Sequence, residues 1–136
     1  MTNRNMALFR AAQIASLSSD HRCRLGAVVY NKHRIISAGC NSQTDTDPIQ
    51  AALDHERYGC CCPGKLHAES AALIPLIKRK IDISGADLYI YRSKRDGTLG
   101  MARPCQSCMK LIKQCGIKRI FYTTDDGYAE EVISYS

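Results

Sequence analysis

Two short motifs carry residues that could bind one metal ion and use it for hydrolysis. His67-Ala68-Glu69 offers an imidazole and a carboxylate, and Pro104-Cys105-Gln106-Ser107-Cys108 offers two thiols. One nitrogen and two thiolates suit zinc, and three protein ligands leave the fourth tetrahedral position for water, as in catalytic sites. The pattern predicts His67, Cys105 and Cys108 as zinc ligands. Glu69 would take a proton from water and return it to the substrate.

The spacing within each motif predicts how the site is positioned. Cys105 and Cys108 would lie on the same side of a helix, where they can bind one ion. Pro104 precedes them, and proline favours the first turn of a helix. His67 and Glu69 are on different sides of a helix and can converge only over its end. We therefore expect the N-termini of two helices to face one zinc ion.

These residues resemble the zinc-dependent cytidine and deoxycytidylate deaminase superfamily. The resemblance rests on the strings KLHAESAAL and RPCQSCMKLIKQCGIKRIFY, which contain the H-x-E and P-C-x-x-C signature of zinc nucleobase deaminases. It is supported by Leu25-Gly26-Ala27-Val28-Val29 and by Gly39-Cys40-Asn41, and it covers the chain from about Ala7 to Thr123.

The resemblance implies a fold, an activity and a set of contacts. The fold would be a single α/β domain over residues 1–136, a cytidine deaminase-like three-layer α/β/α arrangement with a mixed sheet of four to five strands and helices on both faces. The activity would be zinc-dependent release of ammonia from a cytosine nucleoside or nucleotide of the CMP or dCMP type. Asn41 would contact the sugar, and the backbone at Ala68 would contact the base. The resemblance also favours a homo-oligomer.

Two other classes of function stay open at this point. The chain could deaminate cytosine or adenine in single-stranded DNA, RNA or tRNA, although it has no Trp and only 7% aromatic residues, whereas strand-binding sites rely on aromatic stacking. It could also be a catalytically silent, zinc-stabilised binding subunit. Such a subunit would not need Glu69.

The formal charge of +6 favours partners that carry phosphate. Arg103 directly precedes Pro104, so we expect a guanidinium at the rim of the site. Arg103, or a residue of the predicted hairpin tip Arg92–Arg95, is the candidate contact for a substrate phosphate.

The run Cys60, Cys61 and Cys62, near His55, is not explained by the main motifs. Some deoxycytidylate deaminases that the chain resembles carry a second, structural zinc in this region. A second site built from His55 and these thiols, with Cys23 or Cys40, is a hypothesis; a loop with half-buried thiols is the alternative. No apolar run approaches the roughly 20 residues of a membrane span and no signal-peptide core follows Met1, so we expect a cytoplasmic protein with reduced thiols and no membrane partner.

Apolar periodicity and turn residues predict the order of the elements. A short terminal helix competes with the last strand. The prediction gives helices over Asn5–Ser18, Ile49–Tyr58, Leu66–Lys80 and Cys105–Gln114, and strands over Leu25–Tyr30, Arg34–Gly39, Asp87–Ser93, Arg119–Thr123 and Glu131–Tyr135.

Overall fold

The structure is a computed structural model that describes residues 2–20, 23–42 and 66–135. The predicted helix over Ile49–Tyr58 lies outside these residues. No helix among the described residues is long and apolar enough to cross a membrane. The elements, in chain order, are α1 Asn3–Ser16, β1 Arg24–Asn31, β2 Arg34–Cys40, α2 Ala68–Lys78, β3 Asp87–Ser93, α3 Gln106–Gln114, β4 Arg119–Thr123 and β5 Tyr128–Val132.

The strands form one mixed sheet in the order β2-β1-β3-β4-β5. β3 and β4 are parallel, and the other neighbouring pairs are antiparallel. The antiparallel last strand was predicted, but it begins at Tyr128 rather than Glu131. The reason is a tight turn in which the Thr124 N–H donates to the Gly127 carbonyl, so pairing resumes at once with Thr123 opposite Tyr128.

Alternate residues of the central strands face opposite sides of the sheet, as strand geometry requires. One face packs against α1 through Phe9 and Ala12. The other packs against α2 and α3, through residues that include Leu73 and Leu111. This confirms the three-layer α/β/α prediction. The strand residues on the α1 face are Val28, Tyr89, Tyr91 and Phe121, and those on the α2 and α3 face are Ala27, Val29, Leu88, Ile90, Ile120 and Tyr122.

The close approach of α2 to β2 depends on Gly39. A Cβ at this position would lie 2.6 Å from the Ala71 Cβ and 2.7 Å from the backbone nitrogen of Ala72. The Ser37 hydroxyl donates to the Ala72 carbonyl at 2.6 Å. The missing side chain and this hydrogen bond fix the depth at which α2 sits on the sheet, and therefore the position of the residues at its N-terminus.

Candidate active site

The first motif lies at the N-terminus of α2. His67 is the N-cap, in extended conformation, and Glu69 lies in the first helical turn. The Ala71 N–H donates to the His67 carbonyl at 2.9 Å, so the backbone of His67 closes the first turn. The side chain of His67 makes no capping hydrogen bond, which leaves the imidazole able to point away from its own helix.

The second motif is built in the same way on α3. Cys105 is the N-cap, and Cys108 follows in the first turn with its side chain fully buried. The Met109 N–H donates to the Cys105 carbonyl at 2.8 Å. Pro104 therefore lies just before the N-cap rather than inside the helix. Both thiols face the positive end of the helix dipole, which favours thiolates.

The two helix N-termini bring three potential metal ligands together. The His67 Nδ1 atom lies 3.3 Å from the Cys108 Sγ and 3.7 Å from the Cys105 Sγ. All three ligand atoms lie within 4.8 Å of one another. In the described part of the chain, these three residues are the cluster that could hold a metal ion. Zn–N and Zn–S bonds of ordinary length in a tetrahedron separate nitrogen from sulfur by about 3.6 Å. The donor set and its spacing therefore fit zinc.

The two thiols hold their protons very differently. The pKa of Cys105 is lowered to about 3, mainly by a hydrogen bond from the Cys108 thiol and to a smaller extent by His67. The same hydrogen bond, together with burial, raises the pKa of Cys108. One thiolate and one thiol thus share a proton. A metal that binds both sulfurs as thiolates would release the proton of Cys108.

Glu69 is buried beside this cluster, with only 4% of its surface exposed. Burial raises its pKa above the ordinary carboxyl value, and the charge of His67 offsets part of this rise. Burial thus favours the protonated form of Glu69, whereas a cation close by would favour the carboxylate.

Both motifs open onto one cavity of about 410 Å³. This volume lies within the range of small-molecule sites in proteins. Much of the exposed surface of its wall is apolar, although polar and charged side chains also line it. His67, Glu69 and Cys105 line this cavity. The other described residues in its wall are Cys23, Leu25, Asn41, Ser42, Leu66, Ala68, Arg92, Met101, Ala102 and Arg103.

Asn41 lines the cavity but also holds its wall together. Its Oδ1 atom accepts hydrogen bonds from the Ser19 hydroxyl at 2.6 Å and from the Leu25 N–H at 3.0 Å. Its Nδ2 atom donates to the Cys23 carbonyl at 2.8 Å. Asn41 therefore ties the segment before β1 to the end of β2. The second Nδ2 hydrogen has no partner among the described residues and could reach a ligand.

Arg103 lines the cavity, but its charge is matched within the protein. Its Nε and Nη2 atoms donate to the two carboxylate oxygens of Glu131 at 2.8 and 3.1 Å. The Tyr122 hydroxyl donates to the same carboxylate at 2.6 Å. The ion pair joins the residue before Pro104 to β5.

Arg92, one of the predicted candidates for the phosphate contact, and Cys23, a predicted candidate for the second zinc site, both line the cavity. Arg92 lies near the end of β3, and its Nη1 atom donates to the Met101 carbonyl at 3.1 Å. Its Nη2 atom lies 3.5 Å from the Cys23 Sγ.

The second-zinc hypothesis concerns His55, Cys60, Cys61 and Cys62, which lie outside the described residues. Of the two further thiols considered for it, Cys23 lies in the cavity wall beside Arg92, and Cys40 ends β2. This second site stays a prediction.

Comparison with known proteins places the chain in a family. The model of the "Cytidine and deoxycytidylate deaminase zinc-binding region" matches residues 1–124. The chain therefore belongs to this deaminase family, as its motifs predicted.

Individual relatives agree with this assignment. A dCMP deaminase from the cyanophage S-TIM5 shares 26% identity and a TM-score of 0.65, over 91% of this chain and 86% of that one. It has also been solved in complex with dCMP and dUMP. A cytidine deaminase from Burkholderia pseudomallei has the same fold, with 15% identity and a TM-score of 0.61 over 97% of this chain and 93% of that one.

ComE operon protein 2 of Bacillus subtilis is 28% identical over 127 residues, which make up 88% of this chain. The chain spans 59% of the length of this relative.

Proposed function

We propose that this protein is a zinc-dependent hydrolytic deaminase that converts a cytosine nucleoside or nucleotide, of the CMP or dCMP type, to the uracil form and releases ammonia. The observation that carries the proposal is the buried Glu69 carboxyl group in the same cavity as the His67, Cys105 and Cys108 cluster. A site that only stabilised the fold would be closed by four protein ligands, whereas this cluster has three and the buried carboxyl group of Glu69 lies outside it.

His67, Cys105 and Cys108 would hold the zinc ion. When bound, zinc supplies Lewis acidity that makes hydroxide available from water near neutral pH. Glu69 then acts as the proton carrier: its carboxylate accepts a proton from water, and its carboxyl group donates that proton to the substrate so that ammonia can leave. Burial of Glu69 supports this role, because it raises the pKa of the carboxyl group and so favours the protonated form that donates to the substrate more than exposure to water would.

Three further residues of the cavity wall would recognise the substrate. The backbone at Ala68 would contact the base, and the remaining Nδ2 hydrogen of Asn41 would contact the sugar. Arg103 would act at the rim, where a phosphate could reach it only by competing with Glu131. The complex of the S-TIM5 dCMP deaminase with dCMP and dUMP supports a small-molecule substrate of this class.

Ammonia release from zinc-loaded protein tests the proposal. The compounds offered would be cytidine, deoxycytidine, CMP, dCMP, dCTP, adenosine, guanine and a short cytosine-containing single strand. We expect turnover of at least one cytosine monomer. Conversion of the strand alone would replace the proposal with a polynucleotide deaminase, and silence on every compound would favour the zinc-stabilised binding subunit. The homo-oligomer and the cytoplasmic location stay predictions.

A further inference from the structure

We propose that Arg92 is the residue that binds the substrate phosphate, and that the preferred substrate is therefore a nucleotide rather than the free nucleoside. This inference rests on the proposed function and names the specificity-determining contact within the same cavity.

The guanidinium of Arg92 presents one edge that the described residues leave unsatisfied. That edge consists of Nε and Nη2. The Nε atom is buried and has no hydrogen-bond partner among the described residues, and Nη2 contacts only the Cys23 sulfur, at 3.5 Å. Sulfur is a weak acceptor. A buried donor without a partner costs free energy, and such a group in a native protein calls for a ligand or another explanation.

Arg103 shows what this edge of an arginine normally binds. In Arg103, the same two atoms, Nε and Nη2, donate to both oxygens of the Glu131 carboxylate. Arg92, by contrast, takes part in no ion pair with a described carboxylate. Of the two arginines that line the cavity, Arg92 thus carries the charge that has no counter-ion in the described structure.

Arg92 is also held in place before any ligand arrives. Its backbone N–H donates to the Thr123 Oγ1 at 3.1 Å, and its carbonyl accepts from the Gly100 N–H at 3.0 Å. A Cβ at Gly100 would lie 2.8 Å from the Arg92 Cδ, so the glycine allows the arginine stem to pack against the backbone. A charge fixed in this way loses little conformational entropy on binding.

A phosphate monoester fits these properties better than a neutral group of the base or sugar. It carries about 1.5 to 2 negative charges near pH 7 and offers several oxygens. Two parallel hydrogen bonds from one guanidinium edge match that geometry. A base carbonyl could satisfy the Nε–H but would leave the charge unmatched.

The experiment compares Arg92→Gln with Arg10→Gln, the same substitution at an exposed position of α1, which packs on the face of the sheet opposite α2 and α3. For each protein, kcat/KM is measured with dCMP and with deoxycytidine. If the wild type prefers ribose, CMP and cytidine are used instead. Affinity for dUMP and deoxyuridine is measured by calorimetry. Loss of a charge-assisted phosphate contact should lower kcat/KM for the nucleotide and weaken dUMP binding by about 10- to 100-fold, with less than about threefold change for the nucleosides. Arg10→Gln should match the wild type.

Equal losses on nucleotide and nucleoside would overturn the proposal, because they would mean that Arg92 contacts the base or only supports the cavity. A nucleotide-selective loss in Arg103→Gln, with none in Arg92→Gln, would transfer the role to Arg103. If Arg92→Gln does not fold, Arg92→Lys keeps the charge and should retain part of the nucleotide preference. A wild type that deaminates no cytosine monomer would contradict the proposed function itself, and the dUMP affinities would still test Arg92.

Discussion

Replacement of Gly39 by alanine should disturb the metal site from a distance. The added methyl group would lie 2.7 Å from the backbone of α2, whereas ordinary contact begins at 3.4 Å. The helix would have to withdraw by about 0.7 Å, and overpacking of this kind costs about 1–3 kcal/mol of unfolding free energy. For a chain of this size that corresponds to a melting temperature lower by roughly 3–5 °C per kcal/mol.

The same shift reaches the zinc ligands, because His67 is the N-cap of α2 while Cys105 and Cys108 lie on α3. Metal sites tolerate departures of about 0.2 Å from ideal ligand distances. We therefore expect Gly39→Ala to weaken zinc binding by about 10- to 100-fold, the range seen when the support of metal ligands is disturbed.

Gly127→Ala is the matched control for this prediction. A Cβ on Gly127 meets no atom within 4 Å, and its backbone is outside the left-handed region. Thermal unfolding of the metal-free proteins measures the change in melting temperature, and competition with a chelator measures the zinc affinity. The reasoning would be refuted if Gly39→Ala and Gly127→Ala had the same stability and the same zinc affinity.

Two further predictions concern the walls of the cavity. Asn41→Ala removes three hydrogen bonds, one buried and two partly buried, so urea unfolding should show a loss of about 2–4 kcal/mol, with about 1 kcal/mol for Ser19→Ala. A loss below about 0.5 kcal/mol for Asn41→Ala would contradict its tethering role. The hydrogen bonds from Arg103 and Tyr122 lower the pKa of Glu131, so its stabilising effect is present at neutral pH and is lost as the pH falls below about 4.5 through the lowered folded-state pKa. Because the pair is partly exposed, Glu131→Gln should reduce the loss of unfolding free energy between pH 7 and pH 3 by only about 0.2–1 kcal/mol. If wild type and Glu131→Gln had the same urea midpoint at every pH in that range, the ion pair would have no effect on stability.

The sequence predicted most of the fold because its local signals agree with its tertiary contacts. The residues of Leu88-Tyr89-Ile90-Tyr91 alternate between the two faces of the sheet. Leu88 and Ile90 pack in the core beside α2 and α3, and Tyr89 and Tyr91 pack in the core beside α1. The last strand was misplaced by three residues, since its start is decided by a turn hydrogen bond from Thr124 to Gly127 rather than by apolar pattern.

The site could be predicted only where a residue type dictates chemistry. Histidine, cysteine and glutamate at characteristic spacings predict a metal site, and the structure brings His67, Cys105 and Cys108 together. Arginine gives no such signal, because whether it binds a substrate or a carboxylate depends on what lies opposite in space. The Glu131 partner of Arg103 comes from a strand 28 residues further along, and no local pattern connects the two.

The most direct test of the central claim is a comparison of ammonia release by wild-type protein and Glu69→Gln, with zinc content measured in both. The glutamine keeps the shape of the side chain but cannot carry the proton. We predict equal zinc content and a turnover of the cytosine substrate that is lower by about 10²–10⁴-fold. Full turnover by Glu69→Gln at wild-type zinc content would contradict the proposed mechanism.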